Sequence, residues 1–189
     1  MDDAEEDLKL AVDYRDNGNA GAMDRLVAKY GKDLLAYLNA TLRNKSDAEE
    51  VFQDTWLKAM RKIAFFKGGS FKAWLTTIAR NCVIDRTRRK RPSMSLNQEV
   101  GEDGTQVVDL MADSSAPRPE AGLVSEERGA RIREAVAALP DAQREVFLLR
   151  TEQELSFAEI AAMLAIPLNT ALGRMHYAVT RLRKELADL

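Results

Sequence analysis

The sequence predicts an all-α protein made of two small helical domains joined by a flexible acidic linker. Three observations carry this expectation. First, Ala, Leu, Arg and Glu dominate the 189 residues, and 10 Gly and 5 Pro are too few for a sandwich, a barrel or a collagen-like repeat. Second, apolar residues recur at helical three-to-four spacing in two blocks. Between the blocks the period is lost, and Gly101, Gly104, Ser114, Ser115, Pro117, Pro119 and Gly122 accumulate. Third, the charges are segregated. Lys58 to Arg91 holds eleven Lys/Arg and one acid, Asp85, a net of +10; Ser93 to Glu127 holds one Arg, Arg118, and eight acids, a net of -7. The formal total of -2 conceals this. The expected boundaries are 1–92 for the first domain, 93–124 for the linker and 125–189 for the second domain.

In the first domain, Leu8 and Val12, then Met23, Leu26, Val27 and Tyr30, then Leu34, Leu35, Leu38 and Leu42 form helical stripes. Gly18 with Asn19, and Gly31, are expected to separate them. Ser46-Asp47-Ala48-Glu49 fits a capping box. It opens a stripe of Val51, Phe52, Thr55, Trp56, Ala59, Met60 and Ile63, with acids at its start and Lys58, Arg61 and Lys62 at its end, in keeping with the helix dipole. Phe65-Phe66-Lys67-Gly68-Gly69-Ser70 is a break. A further helix places Phe71, Trp74, Leu75, Ile78, Ala79, Cys82 and Val83 on one face and ends at Pro92.

The second domain is expected to begin with a helix over 125–138. Pro140 starts another, bearing Val146, Phe147 and Leu149. Ser156-Phe157-Ala158-Glu159 is a second capping box, opening a short helix. A turn over 165–169 leads to a helix with core positions Ala171, Met175, Ala178, Val179, Leu182 and Leu186. A short helix, a tight turn and a longer helix with basic outward residues form a helix-turn-helix pattern, although a plain helical hairpin has the same spacing.

Several function classes are disfavoured. One cysteine, Cys82, permits no intramolecular disulfide and no multi-cysteine zinc site, and one histidine, His176, permits no histidine metal cage. Cys82 is expected to be a buried inert thiol. No apolar run spans a membrane, and the acidic start (Asp2, Asp3, Glu5, Glu6, Asp7) is the opposite of a signal peptide. The expectation is a soluble, cytoplasmic protein with no membrane insertion, cofactor, metal or catalytic residue. A nuclease reading would have Asp47, Glu49, Glu50 and Asp54 hold Mg²⁺, but no supporting acid, His or Lys constellation accompanies them. A basic block of this density suits a polyanion such as nucleic acid.

Three strings carry a family resemblance. Ser-Asp-Ala-Glu-Glu-Val-Phe-Gln-Asp-Thr-Trp-Leu-Lys-Ala, from Ser46 to Ala59, resembles the polymerase-binding helix of bacterial sigma factors. Phe66-Lys67-Gly68-Gly69-Ser70-Phe71-Lys72-Ala73-Trp74-Leu75, running on through Ile78-Ala79-Arg80-Asn81 to Arg86, resembles the promoter-melting segment of the extracytoplasmic-function (ECF) group. Leu139-Pro140-Asp141-Ala142-Gln143-Arg144-Glu145-Val146-Phe147 and the stretch from Ser156 to Arg174 resemble that group's C-terminal domain.

The resemblance implies a non-enzymatic initiation factor: a sigma domain two bundle and a C-terminal helix-turn-helix domain. Its partners would be core RNA polymerase, promoter DNA both double-stranded and melted, and an anti-sigma factor; in holoenzyme it would be nucleoid-associated. Asp47, Glu49, Glu50, Gln53, Asp54 and Trp56 are the expected polymerase-binding face. Lys58, Lys62, Arg80, Arg86 and Arg89 are expected on minus-ten phosphates and Asn81 on base edges. Phe66, beside the glycine pair, is expected against an extruded base, and Trp74 in the core. Asn169, Thr170, Leu172, Arg174, His176, Tyr177 and Arg181 are expected on the minus-thirty-five element. The acidic linker would suit channels that accept nucleic acid.

The recognition helix departs from the family, which usually carries Gly-Thr-Val-Lys-Ser-Arg, an aliphatic residue, His and Arg. Here Leu172 replaces the Lys, Gly173 the Ser and Tyr177 the last Arg, Val179 fills a further usually basic position, and Ala165 stands where Gly is frequent in the turn. Altered minus-thirty-five reading is expected, leaning on contact between Leu172 and thymine methyls or on another protein. The alternatives are a helix-turn-helix regulator that acts without polymerase, and a docking adaptor whose second domain no longer reads DNA.

Overall fold

The structure, a computed structural model, describes residues 3–90 and 124–187. The expected linker, apart from its last residue, and the expected helix stop at Pro92 lie outside the described residues. These form eight α-helices and no strand: α1 (Asp3–Asn17), α2 (Ala20–Leu42), α3 (Lys45–Lys62), α4 (Phe71–Lys90), α5 (Val124–Ala137), α6 (Asp141–Thr151), α7 (Phe157–Leu164) and α8 (Leu168–Glu185). A 3₁₀ turn over Ile63–Phe65 follows α3.

Gly18 adopts φ +65°, a left-handed conformation that stops α1, and the Asn19 side chain accepts the Gly21 N–H at 3.0 Å to start α2. The expected stop at Gly31 is absent. α2 runs through it, because Gly31 is buried and its Cα faces the Phe52 ring of α3, where an added Cβ would lie 3.5 Å from Cζ. Gly31 is thus an interior helical residue packed against α3 rather than a point of chain reversal. The capping box expected at Ser46 is absent too. Arg43 turns left-handed at φ 53°, and Asn44 caps α3 by accepting the Asp47 N–H at 2.9 Å. α3 therefore starts earlier, and Asp47 occupies the third helical position that a capping box would give to Glu.

α1 to α4 close around one apolar core. Leu10, Leu26, Leu34, Leu38, Val51, Ala59, Leu75 and Ile78 are buried in it. Phe71 stands at its centre, with ring centroids 5.4 Å from Tyr30, 5.2 Å from Phe66 and 5.4 Å from Trp74. At one edge the buried Asp7 of α1 accepts from Lys29 at 2.8 Å and from the Tyr30 hydroxyl. Burial raises the Tyr30 phenol well above its usual range, and the Asp7 carboxylate raises it further.

In the second half, Val146, Leu149, Ile160, Ala171 and Ala178 form the core of α6 to α8. The Ser156 capping box is present: Glu159 N–H donates to Oγ at 3.2 Å and Ser156 N–H donates to the Glu159 carboxylate at 2.8 Å. α7 ends in Ala165 at φ 53°, and Pro167 opens α8. The helix-turn-helix spacing is thus realised.

The halves meet along α2 and α4 on one side and α6, α7 and the segment between them on the other. Gln153 is buried there. Its amide donates to the Asp33 carbonyl at 2.8 Å, and its Oε1 lies 3.0 Å from the Thr76 hydroxyl. Lys72 pairs with Asp33 at 3.0 Å and Glu154 at 3.3 Å, and Arg80 with Glu145 at 2.7 Å.

Candidate nucleic-acid interface

α3 and α4 lie side by side, so the acids at the start of α3 face the cations at the end of α4. Asp47 is buried and accepts from Arg86 at 2.7 Å and from Lys90; Arg86 also donates to Glu50. The hydrogen bonds from Lys90 and Arg86 hold the Asp47 carboxyl below the usual carboxylate range. Asp47 is therefore a strut between helices. Trp56, expected on the polymerase face, is buried beside Phe52 in an edge-on contact at 6.3 Å. The exposed strip of α3 is instead Glu49, Glu50, Gln53, Asp54 and Leu57. Leu57 is half exposed and was not anticipated. Its signal is its place four residues after Gln53, out of phase with the buried stripe.

The basic block divides in a way that charge counting could not show. Lys58 pairs with Asp85 at 3.3 Å, Arg80 with Glu145, and Arg86 with Asp47 and Glu50. Lys62 and Arg89 are exposed and, among the described residues, without an ion pair; the same holds for Arg61, Lys67 and Arg88. Asn81 is exposed on α4, on the same side as Thr77, Ile84 and Arg88.

Phe66, expected against an extruded base, is buried instead. Only 3% of it is exposed, and its ring packs on Phe71 and Trp74, the latter at 5.5 Å. Phe65 is the outward ring, 73% exposed. The apolar register of α3 explains the exchange: Ala59, Ile63 and Phe66 continue one stripe at spacings of four and three, which leaves Phe65 out of phase. Trp74 is half-buried against the cluster, and Cys82 is buried.

On α8, Asn169, Leu172, His176, Tyr177 and Arg181 are exposed, while Thr170, Gly173 and Arg174 are half-buried at the flanks. Leu168, Leu172 and Tyr177 are between 42% and 48% exposed, so the first turns of the outward face are apolar and polar rather than cationic. His176 and Tyr177 touch edge-on at 5.7 Å.

A four-helix bundle carrying a cationic, aromatic-bearing edge, followed by a helix-turn-helix unit, is the architecture of a two-domain helical DNA-binding protein. Comparison with known proteins narrows the class. The family model described as Sigma-70 region 2 matches residues 26–92, and that described as Sigma-70, region 4 matches residues 129–185. The ECF RNA polymerase sigma factor SigW of Bacillus subtilis is 34% identical over 185 residues, covering 96% of this chain and 98% of SigW. The RNA polymerase sigma-H factor of Pseudomonas aeruginosa is 29% identical over 188 residues, covering 98% and 96% of the two chains. The chain belongs to the ECF family of RNA polymerase sigma factors. Its fold is shared by CnrH, solved in complex with the cytosolic domain of CnrY (TM-score 0.69, 24% identity, 97% of this chain and 98% of CnrH covered). It is shared also by RpoE of Bartonella quintana, solved with the anti-sigma factor NepR (TM-score 0.64, 23% identity, 87% and 96% covered). No helix among the described residues is long and apolar enough to cross a membrane.

Proposed function

We propose that this sigma factor docks on core RNA polymerase through the exposed strip of α3, opens and reads the minus-ten element with the α3–α4 edge, and sets α8 on the minus-thirty-five element. The observation that carries this reading is the segregation along α3. Glu49, Gln53, Asp54 and Leu57 are exposed along its length, and the free cations Arg61 and Lys62 begin where it ends. One helix thereby offers a polar, acidic face to protein and hands DNA to its far end. Lys62, Arg89, Asn81 and, once released from Glu145, Arg80 supply phosphate and base-edge contacts. The acidic stretch that begins at Ser93 and stops short of α5 links the halves. The factor works in the cytoplasm without a catalytic step or cofactor, and an anti-sigma protein is a fitting partner, as NepR is for RpoE of Bartonella quintana.

Replacing Gln53 and Asp54 together by Ala tests the docking face. Core affinity should fall while far-ultraviolet circular dichroism and the melting temperature stay unchanged, because both side chains are exposed. Unchanged core affinity overturns it.

The exposed Leu168, Leu172 and Tyr177 favour a second reading, in which α8 docks a protein. Footprinting with reconstituted holoenzyme separates the two: protection over the minus-thirty-five region supports DNA reading, and its absence supports protein docking.

A further inference from the structure

We infer that α1 sets the conformation of the loop between the 3₁₀ turn and α4, with Leu8 propping Gly68 and the bonds of Asp7 to Lys29 and Tyr30 holding Leu8 in place. Leu8 is accordingly a positioning residue for promoter opening, a role that rests on the proposed work of the α3–α4 edge. The two ends of the loop are fixed from within the bundle. Phe66 closes the 3₁₀ turn by donating its N–H to the Ile63 carbonyl at 3.0 Å, and its ring packs on Phe71. Ser70 caps α4 by accepting the Ala73 N–H at 3.1 Å, and Phe71, the first residue of α4, lies against the Tyr30 ring. Between these ends Lys67 and Gly69 are exposed and Gly68 is half-buried. Gly68 and Gly69 take φ +104° and +83°, and glycines lose more freedom on being ordered than any other residue. The form of the loop therefore depends on what lies against Gly68. That neighbour is Leu8: a Cβ added to Gly68 would lie 3.5 Å from Leu8 Cδ2, and among the described residues no other atom beyond the adjoining ones comes within 4 Å of it.

The attachment of α1 keeps this prop still. α1 packs on α2 and touches both the 3₁₀ turn and α4, so it spans the base of the loop. Leu8 itself is partly buried against the core. Beside it, Asp7 is buried and accepts from Lys29 at 2.8 Å and from the Tyr30 hydroxyl. A buried carboxylate without partners is costly, so this clasp fixes how α1 is rotated against α2, and with it the direction of Leu8. Glu6 pairs with Arg25 at 2.6 Å and Asp3 with Lys29 at 3.5 Å, but these contacts are more exposed and weaker. Tyr30 joins the clasp to the loop, with its hydroxyl on Asp7 and its ring 5.4 Å from that of Phe71. One side chain thus ties the helix that carries the prop to the residue where the loop ends. The loop holds its form before DNA arrives, and the cost of ordering two glycines does not fall on the DNA contacts. α1 lies ahead of the span over 26–92 that the region 2 model matches, and that match assigns it no part.

The test compares wild type, Leu8→Ala and Leu8→Met as full-length proteins, at a temperature where all three are fully folded. In the free proteins, order parameters of the Gly68 and Gly69 amides from NMR relaxation should fall in Leu8→Ala and recover in Leu8→Met, which refills the space. In holoenzyme on a promoter selected from a random duplex library, Leu8→Ala should slow opening, followed by permanganate reactivity, about two- to tenfold, and Leu8→Met should restore it. Core affinity should be the same for all three. Tyr30→Phe keeps a ring on Phe71 but loses the bond to Asp7, and it should move both readouts in the direction of Leu8→Ala. Unchanged loop order in Leu8→Ala, or a looser loop that opens the promoter at the wild-type rate, overturns the inference. Loss of core affinity in Leu8→Ala overturns it as well and makes α1 a polymerase contact. A wild-type holoenzyme that binds core yet opens no selected template overturns the reading of the α3–α4 edge on which the inference stands. The order parameters, measured without DNA, tell that failure from failure of the prop.

Discussion

Two adjacent phenylalanines are placed oppositely, Phe65 outward and Phe66 inward, and their truncation should have unequal costs. Phe66→Ala removes a buried ring from contact with Phe71 and Trp74 and should destabilise the protein by about 3–5 kcal/mol in chemical denaturation. Phe65→Ala deletes an exposed ring and should change stability by less than about 0.5 kcal/mol. Equal losses would contradict the placement of the two rings. Asp47 supplies a pH-dependent counterpart. Its folded-state carboxyl is held below the unfolded value of about 3.9 by Lys90 and Arg86. A depressed carboxylate stabilises the fold above the unfolded value and loses that contribution as pH falls through the folded one. Asp47→Asn should therefore lower the melting temperature at pH 7, and the gap from wild type should close as pH is taken below 4. A gap that stays constant with pH would show that the Asp47 ion pairs contribute nothing.

At the scale of elements, the turn before α8 holds a strain that can be removed. Ala165 is left-handed at φ 53°, a conformation that costs a residue with a Cβ about 1 kcal/mol and glycine little. Ala165→Gly should raise stability by up to about 1 kcal/mol, read as a rise in the denaturation midpoint at unchanged m-value. Gly31 calls for the reverse change. It lies inside α2, where Ala is favoured by about 1 kcal/mol, and its Cβ would meet Phe52 at an ordinary contact distance. Gly31→Ala should stabilise by a few tenths to about 1 kcal/mol. These two positions also show what sequence reasoning could reach. The Ser156 capping box, Pro140 and the stripes of α4 and α8 were legible because each is a local rule whose partners lie within four residues. Gly31 reads locally as a stop because glycine disfavours helix, whereas the continuation of α2 through it is supported by packing against another helix, at Phe52. The start of α3 is decided between two competing local signals, and Asn44, two residues before Ser46, is the one that caps the helix. Trp56 and Phe66 lie within strings that carry a functional resemblance, which suggests exposure, but the register of the apolar stripe places both inward, and both are buried.

For the whole molecule, net charge in the sequence overstated the cationic surface, because ion pairs between distant residues cannot be counted from a string. Of the eleven cations between Lys58 and Arg91, Lys58, Lys72, Arg80, Arg86 and Lys90 are engaged by carboxylates, two of which, Glu145 and Glu154, come from the second half of the chain. Arg61, Lys62, Lys67, Arg88 and Arg89 bear no ion pair among the described residues, and in the proposed reading they are the cations free to meet DNA. If each of these five neutralises one phosphate, the logarithm of duplex affinity should fall against the logarithm of salt with a slope near about -4.5, and single-strand affinity with a slope near about -3.5. The face proposed for the minus-thirty-five element is poorer in cations. The outward face of α8 shows Leu172, His176 and Tyr177, with Arg174 half-buried at its flank, and its first exposed arginine is Arg181. The minus-ten side should therefore carry more of the promoter discrimination than is usual for the family. Asn81→Ala should cost about 1–3 kcal/mol, confined to one or two promoter positions. Leu172→Lys with Gly173→Ser should strengthen minus-thirty-five binding, by an added phosphate contact and by the helix propensity regained at position 173. The measurement is promoter opening by holoenzyme on templates scrambled at one element at a time. Scrambling minus-ten should abolish opening, and scrambling minus-thirty-five should only reduce it. In the doubly substituted protein the minus-thirty-five penalty should grow, because there is then an interaction to lose. Equal abolition by the two scrambled templates in the wild-type protein would show that α8 reads its element as fully as the basic edge reads minus-ten.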